Sequence, residues 1–157
     1  MIICISGTPG TGKTTLAKKI VKDFRFKYID GNIIIEKYCL SEGFDKKKDC
    51  KIVDVKKFIK AVLKEVKQEE NYVIDSHLSH NLPKNEVDLC VICKCDLKKL
   101  KNRLEKRRYS KSKVRENLDA EIIEVCLTEA QDKDHKIIIY EKDYKKLKKD
   151  IKNLINA

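Results

Sequence analysis

Apolar and polar positions alternate between two rhythms along the chain. Ile2–Ser6 is a continuous apolar run that stops at a glycine-rich turn, the pattern of a strand buried on both faces. Lys13–Phe24 comes next, with Leu16, Ile20 and Val21 at helical spacing. Tyr28–Asp30 reads as a second strand, Asn32–Leu40 as a short helix, and Ser41–Lys51 as a charged connector. Asp54 stands where a helix cap is needed, and Val55, Phe58, Ile59, Val62, Leu63 and Val66 then recur on one helical face. Tyr72–Asp75 and Val87–Cys95 are the third and fourth strands. Leu97–Arg108 is helical, with Leu97, Leu100 and Leu104 inward; Tyr109–Ser112 breaks it, with Ser112 placed to cap the next helix. Val114–Gln131 reads as one helix, Lys136–Tyr140 as the fifth strand and Asp143–Ile155 as a closing helix. Strands alternating with helices from end to end predict an α/β fold: a parallel sheet with helices on both faces, in a single domain spanning 1–157.

The turn after the first strand carries chemistry. Gly7-Thr-Pro-Gly10-Thr-Gly12-Lys13-Thr14 satisfies G-x-x-x-x-G-K-[ST] in full, between a strand and a helix. Glycines let backbone N–H groups turn inward around phosphates where a Cβ would clash, and the helix N-terminus adds partial positive charge. Gly10, Gly12, Lys13 and Thr14 are therefore the residues expected around the phosphates. Lys13 would reach the β- and γ-phosphates, and the Thr14 hydroxyl would ligate Mg²⁺. This motif alone does not choose between ATPase, GTPase and kinase.

Composition narrows the setting. The 157 residues suit one domain, and 39% of them are charged, with a formal net charge of +11. Such a surface favours anionic partners, although the lysines fall in every segment and also read as solvated helix faces. No apolar run approaches the roughly 18–20 residues of a membrane span. The first strand begins at Met1, so no targeting segment is expected, and seven cysteines beside a nucleotide motif suit a reducing cytoplasm or nucleus. Cys90, Cys93 and Cys95 resemble a metal spacing. They lie along a strand with no second Cys or His pair after it, so buried thiols are expected, with zinc the minor alternative.

Two further clusters point to phosphoryl transfer. Strand three ends in Asp75-Ser-His77-Leu-Ser-His80, and a strand-end carboxylate beside the P-loop strand can hold Mg²⁺ directly or through water. It could equally cap a turn. His77 is a candidate for orienting water or a substrate phosphate, and either histidine could be structural. Arginine is scarce, five residues against 31 lysines, yet Arg103, Arg107, Arg108 and Arg115 fall in one short stretch. The planar guanidinium grips phosphate bidentately where a lysine cannot.

With these motifs in place the chain resembles the small archaeal and eukaryotic adenylate kinases of the isoenzyme-six type, related to a small-subunit ribosome assembly factor. The resemblance runs through Gly7–Thr15, Tyr28-Ile-Asp30, Asp75–Pro83, Cys95-Asp96, Arg103-Leu104, Arg107–Ser110, Glu116-Asn117 and Ala120-Glu121. It implies a P-loop nucleoside monophosphate kinase architecture with a five-stranded parallel core. It also implies a monophosphate-binding region at about 30–53 and a lid at about 106–116. The expected activity is ATP + AMP to 2 ADP with accompanying ATPase activity. The alternative is an ATPase acting in ribosome assembly through a ribosomal protein or rRNA. Carried over from the resemblance, Lys13, Asp75, His77 and Arg107 are the catalytic candidates, Thr14 and Asp75 the metal candidates, and Gly10, Gly12, Lys13, Thr14, Thr15 and Arg107 the expected ATP-binding residues. Where the family usually has glycine this chain has Arg108, and where it usually has arginine at the end of strand four this chain has Lys94. No arginine lies between Asp30 and Lys94, which leaves Lys37, Lys94 or backbone amides to hold the acceptor phosphate, with Asp30 a further residue of the implied monophosphate site.

Overall fold

The computed structural model describes residues 1–46 and 50–157. Five strands form one parallel sheet: β1 (Ile2–Ser6), β2 (Lys27–Asp30), β5 (Tyr72–Asp75), β6 (Leu89–Cys93) and β7 (Ile137–Tyr140). Their order is β2-β5-β1-β6-β7. The helices are α1 (Lys13–Phe24), α2 (Gly31–Lys37), α3 (Val55–Glu65), α4 (Leu97–Lys106), α5 (Lys111–Ile122), α6 (Val125–Asp132) and α7 (Tyr144–Ile155).

Period-two alternation divides the buried strand residues between two cores. Ile2 and Cys4 of β1, Tyr72 and Ile74 of β5, and Cys90 and Ile92 of β6 face Ile34, Phe58, Val62 and Leu127 from α2, α3 and α6. Ile3, Ile5, Val73, Leu89, Val91 and Cys93 face Leu16, Ala17, Ile20, Leu147 and Ile151 from α1 and α7. Because both faces are covered, the central strands read as unbroken apolar runs. A third, smaller core joins Leu100 and Leu104 of α4 to Val114 of α5.

Register fixes where the chemistry sits. Ile5 of β1 pairs with Asp75 of β5, and Asp75 with Asp30 of β2, so three strands end together beside the turn that opens α1. Gly31 is pressed against β5: a Cβ there would lie 2.5 Å from Ser76 Cβ.

Several sequence expectations differ from the structure, among them Leu97, expected to face inward but 41% exposed at the start of α4. Ser41–Lys51 was expected as a connector, but β3 (Ser41–Asp45) and β4 (Cys50–Val53) pair antiparallel as a separate two-stranded ribbon; residues 47–49 of that segment lie outside the described residues. The single helix expected over Val114–Gln131 is two, α5 and α6, separated by Ile123 and by Glu124 in the left-handed region at φ 55°. Ser110, not Ser112, caps α5, accepting from the Lys113 amide at 3.2 Å. Asp54 caps α3 as its position predicts, accepting from the Lys56 amide at 2.8 Å. Among the described residues no helix is long and apolar enough to cross a membrane.

Candidate functional site

The turn between β1 and α1 is held open by its glycines. Gly7, Gly10 and Gly12 have φ of 136°, 92° and 100°. A Cβ on Gly7 would lie 2.4 Å from the Cys93 carbonyl oxygen of the neighbouring strand, so only glycine lets β1 leave the sheet here. Lys13 folds back across the loop and donates to the carbonyls of Gly7 at 2.8 Å and Thr8 at 3.1 Å. Burial pushes its pKa down and the Arg107 charge adds to that, while Cys93, Asp75 and Cys126 act in the opposite direction. Thr14 and Thr15 are exposed on the first turn of α1.

Asp75 is buried at the end of β5. It accepts a hydrogen bond from the Tyr28 hydroxyl at 2.8 Å. Loss of hydration, the Asp75 hydrogen bond and the Asp75 and Asp30 charges together push the Tyr28 phenol well up, while the Thr14 hydroxyl works the other way. Tyr28, Thr14 and Asp75 therefore form one oxygen-rich corner against the loop. Asp30 caps α2, accepting from the Asn32 amide at 2.8 Å, with its neighbour Gly31 against Ser76. Hard oxygen donors suit Mg²⁺, which keeps several of its own waters and needs few protein ligands. The Thr14 hydroxyl and the Asp75 carboxylate fit that chemistry.

The two histidines of the turn after β5 have different surroundings. His77 is exposed at the strand end. Partial loss of hydration, then the Lys13 ammonium and the His80 ring, hold its pKa below the ordinary value. His80 is buried in a relay: its Nδ1 lies 2.7 Å from Ser6 Oγ and its Nε2 lies 2.6 Å from Glu129 Oε2. A neutral ring satisfies both contacts when Nε2–H donates to the carboxylate and Nδ1 accepts from the Ser6 hydroxyl. His80 thus ties the last residue of β1 to α6 and is enclosed by protein.

The arginine cluster is distributed over the α4–α5 corner. Arg103 Nη1 donates to the Gly10 carbonyl at 3.0 Å and lies 3.6 Å from Cys95 Sγ. Arg107 ends α4, exposed to solvent and within electrostatic reach of Lys13. Arg108 occupies the left-handed region at φ 58°. Its N–H bonds to Glu105 O at 2.8 Å and that of Tyr109 to Leu104 O at 3.4 Å, the Schellman closure that favours glycine.

Of the candidate acceptor residues, Asp30 stands beside the loop, whereas Lys37 does not. Lys37 pairs with Glu65 at 2.6 Å. Glu65 ends α3, where the chain re-enters the sheet at β5, opposite the edge that carries the loop. Lys94 comes directly after β6 and is half-buried in an ion pair with Glu124 at the α5–α6 break. Cys4, Cys90 and Cys93 are buried thiols. Burial pushes Cys90 and Cys93 each up to about 12. Cys95 lies outside the strand, beside Arg103.

Two residues of the site were not singled out as functional from sequence. Tyr28 gave a signal only as the aromatic that opens a short strand and as one of the residues carrying the family resemblance, with no role attached to it. Glu121 lies 113 residues from its partner: its buried carboxylate accepts from the Thr8 hydroxyl at 2.6 Å and from the Cys95 amide at 3.1 Å.

A family model described as an AAA domain matches residues 3–124. A protein of Methanocaldococcus jannaschii named "Putative adenylate kinase" is 35% identical over 99% of this chain and 82% of its own length. A protein of the same name from Pyrococcus furiosus is 37% identical over 100% of this chain and 85% of its own length. An adenylate kinase isoenzyme 6 homolog of Dictyostelium discoideum is 36% identical over 88% of this chain and 79% of its own length. Among solved structures, a deoxyadenosine kinase from M. mycoides with bound dATP superposes with a TM-score of 0.59 at 21% identity, covering 100% of both chains, a likeness of fold alone. Identity at this level along nearly the whole length, in a chain with the glycine-rich loop and strand-end carboxylate described above, places it in the archaeal and eukaryotic adenylate kinase family that includes the isoenzyme 6 homologs.

Proposed function

We propose that this chain is a nucleoside monophosphate kinase that transfers the γ-phosphoryl group of ATP to AMP, giving two ADP. The observation that carries the reading is the register that ends β1 and β5 together, so that Lys13 and the glycine turn stand beside the Asp75 carboxylate and the Asp30–Gly31 start of α2. Donor phosphates would lie along the loop amides. The acceptor would lie over the 30–53 region, and the 106–116 corner would act as the lid.

Transfer of a phosphoryl group needs positioning and charge compensation rather than a covalent protein intermediate. Lys13 would exchange its two loop carbonyls for phosphate oxygens, and Arg107 would approach from the corner. The His77 ring would hold water or an acceptor oxygen at the strand end. Mg²⁺, held by Thr14 and Asp75, would supply further compensation of phosphate charge. Closing the corner would exclude water and limit hydrolysis. Lys13→Ala is expected to abolish transfer. Arg107→Ala is expected to lower kcat by about 10³-fold, at the low end for an arginine that compensates transition-state charge. Wild-type turnover in either variant, measured by ADP formation, removes that residue from the reading.

A second reading is favoured by the net charge of +11. ATP hydrolysis would gate contact with a ribosomal protein or rRNA, with transfer to AMP incidental. It predicts hydrolysis without any monophosphate, stimulated by such a partner, and RNA binding that weakens steeply with salt.

A further inference from the structure

Thr8 is the point where the phosphate loop is tied together. Its carbonyl oxygen accepts from Lys13 Nζ at 3.1 Å and from the Thr11 hydroxyl at 2.8 Å. Its own side chain, in a residue 4% exposed, donates to the carboxylate of Glu121 at 2.6 Å. The second oxygen of that carboxylate takes the Cys95 amide, and the Cys95 sulfur lies against Arg103, which returns to the loop at Gly10. The contacts form a ring: Thr8, Glu121, Cys95, Arg103, Gly10. A narrow cleft lined by Gly7, Thr8, Lys94, Glu121, Glu124 and Cys126 runs beside it. Glu121 is 8% exposed, and each of its two carboxylate oxygens has a donor in place.

We propose that Glu121 is a positioning residue for nucleotide binding, acting through the Thr8 hydroxyl to set the backbone orientation of the phosphate loop. Glu121 does not touch the nucleotide. It fixes Thr8, and Thr8 fixes the carbonyl from which Lys13 swings toward phosphate. Because Glu121 belongs to α5, the same contact links the loop to the α4–α5 corner. This inference rests on the reading that the loop holds ATP.

The experiment is a double-mutant cycle on the full chain, with Thr8→Val, Glu121→Gln and the double variant, and Thr8→Ser as the conservative replacement. The readouts are the dissociation constant for ATP with Mg²⁺ by calorimetry and KM for AMP, with thermal melting to establish that each variant is folded. A hydrogen bond to a charged acceptor corresponds to an effect of about ten- to a hundred-fold. Each single variant should weaken ATP by about that factor, with KM for AMP changed less than about twofold. The double variant should be no weaker than the worse single one, and Thr8→Ser should restore binding. Folded Thr8→Val protein with wild-type ATP affinity overturns the proposal, as do single effects that multiply in the double variant. A wild-type chain that does not bind ATP overturns the nucleotide reading itself, and is recognised before any variant is made.

Discussion

Replacing Gly31 by alanine tests how the proposed acceptor region is seated on the sheet. Helix propensity alone favours alanine by up to about 1 kcal/mol. Geometry opposes it: the new Cβ would lie 2.5 Å from Ser76 Cβ, 2.6 Å from Ser76 Oγ and 3.3 Å from the Asp75 carbonyl. Carbon atoms pack at about 3.5–4.0 Å, so the start of α2 must move away from β5 by about 1 Å. Overpacking costs about 1–3 kcal/mol, and with two Ser76 atoms inside 3 Å the upper part of that range applies; subtracting the propensity gain leaves a net loss of about 1–2 kcal/mol. For a chain of this length that is a fall in Tm of about 2–8 °C. Because α2 moves and the phosphate loop does not, KM for AMP should rise more than KM for ATP. The clash is with the Ser76 side chain, so the control is Ser76→Gly, which removes it. In the Ser76→Gly background, adding Gly31→Ala should be neutral or stabilising by circular dichroism melting. A Gly31→Ala protein that melts at or above the wild type refutes the close-approach argument, as does an equal loss in both backgrounds.

Arg108→Gly should raise stability by up to about 1 kcal/mol, because the left-handed conformation at the end of α4 strains any residue with a Cβ; an unchanged urea midpoint would contradict this. Stability should also depend on pH through His80. Its pKa is lowered in the folded state by burial, against the raising effect of Glu129, with Lys133 and His135 acting in the same direction as burial. A base depressed on folding contributes stability that is intact above its unfolded pKa of about 6.5 and is lost as pH falls from there toward the folded value, since the unfolded chain takes up the proton first. Urea unfolding at pH 7 and pH 5 should show this loss, and His80→Gln should reduce it; an identical pH dependence in the variant would remove His80 as its source.

Much of this architecture was legible from residues alone, for physical reasons that differ by element. The central strands are recognisable because burial on both faces forces unbroken runs such as Ile2–Ile5. The phosphate turn is recognisable because glycine alone readily adopts the φ of 136° at Gly7 and 92° at Gly10. The break between α5 and α6 was hidden, since it is made by Glu124 in a left-handed conformation with neither Gly nor Pro to mark it. An ion pair with Lys94 stands at this break, a contact from across the fold. The β3–β4 ribbon was hidden by its lysines and by a register irregularity near Gly43, which blur the alternation of a strand. At the site, Lys13, Thr14 and Asp75 could be placed because strand ends converge on one edge. Lys37 could not, because a helix of seven residues carries its end away from that edge. Glu121 was unreadable as a loop contact, since nothing local indicates that a helix residue 113 positions later closes on Thr8.

The central claim is transfer of phosphate to a monophosphate, and the most direct test is ATP turnover by the purified chain with Mg²⁺, offering AMP, GMP, CMP, UMP, their deoxy forms, or no acceptor. The account predicts rapid ADP formation with AMP and only slow hydrolysis without an acceptor. Slow hydrolysis indifferent to every monophosphate would contradict it.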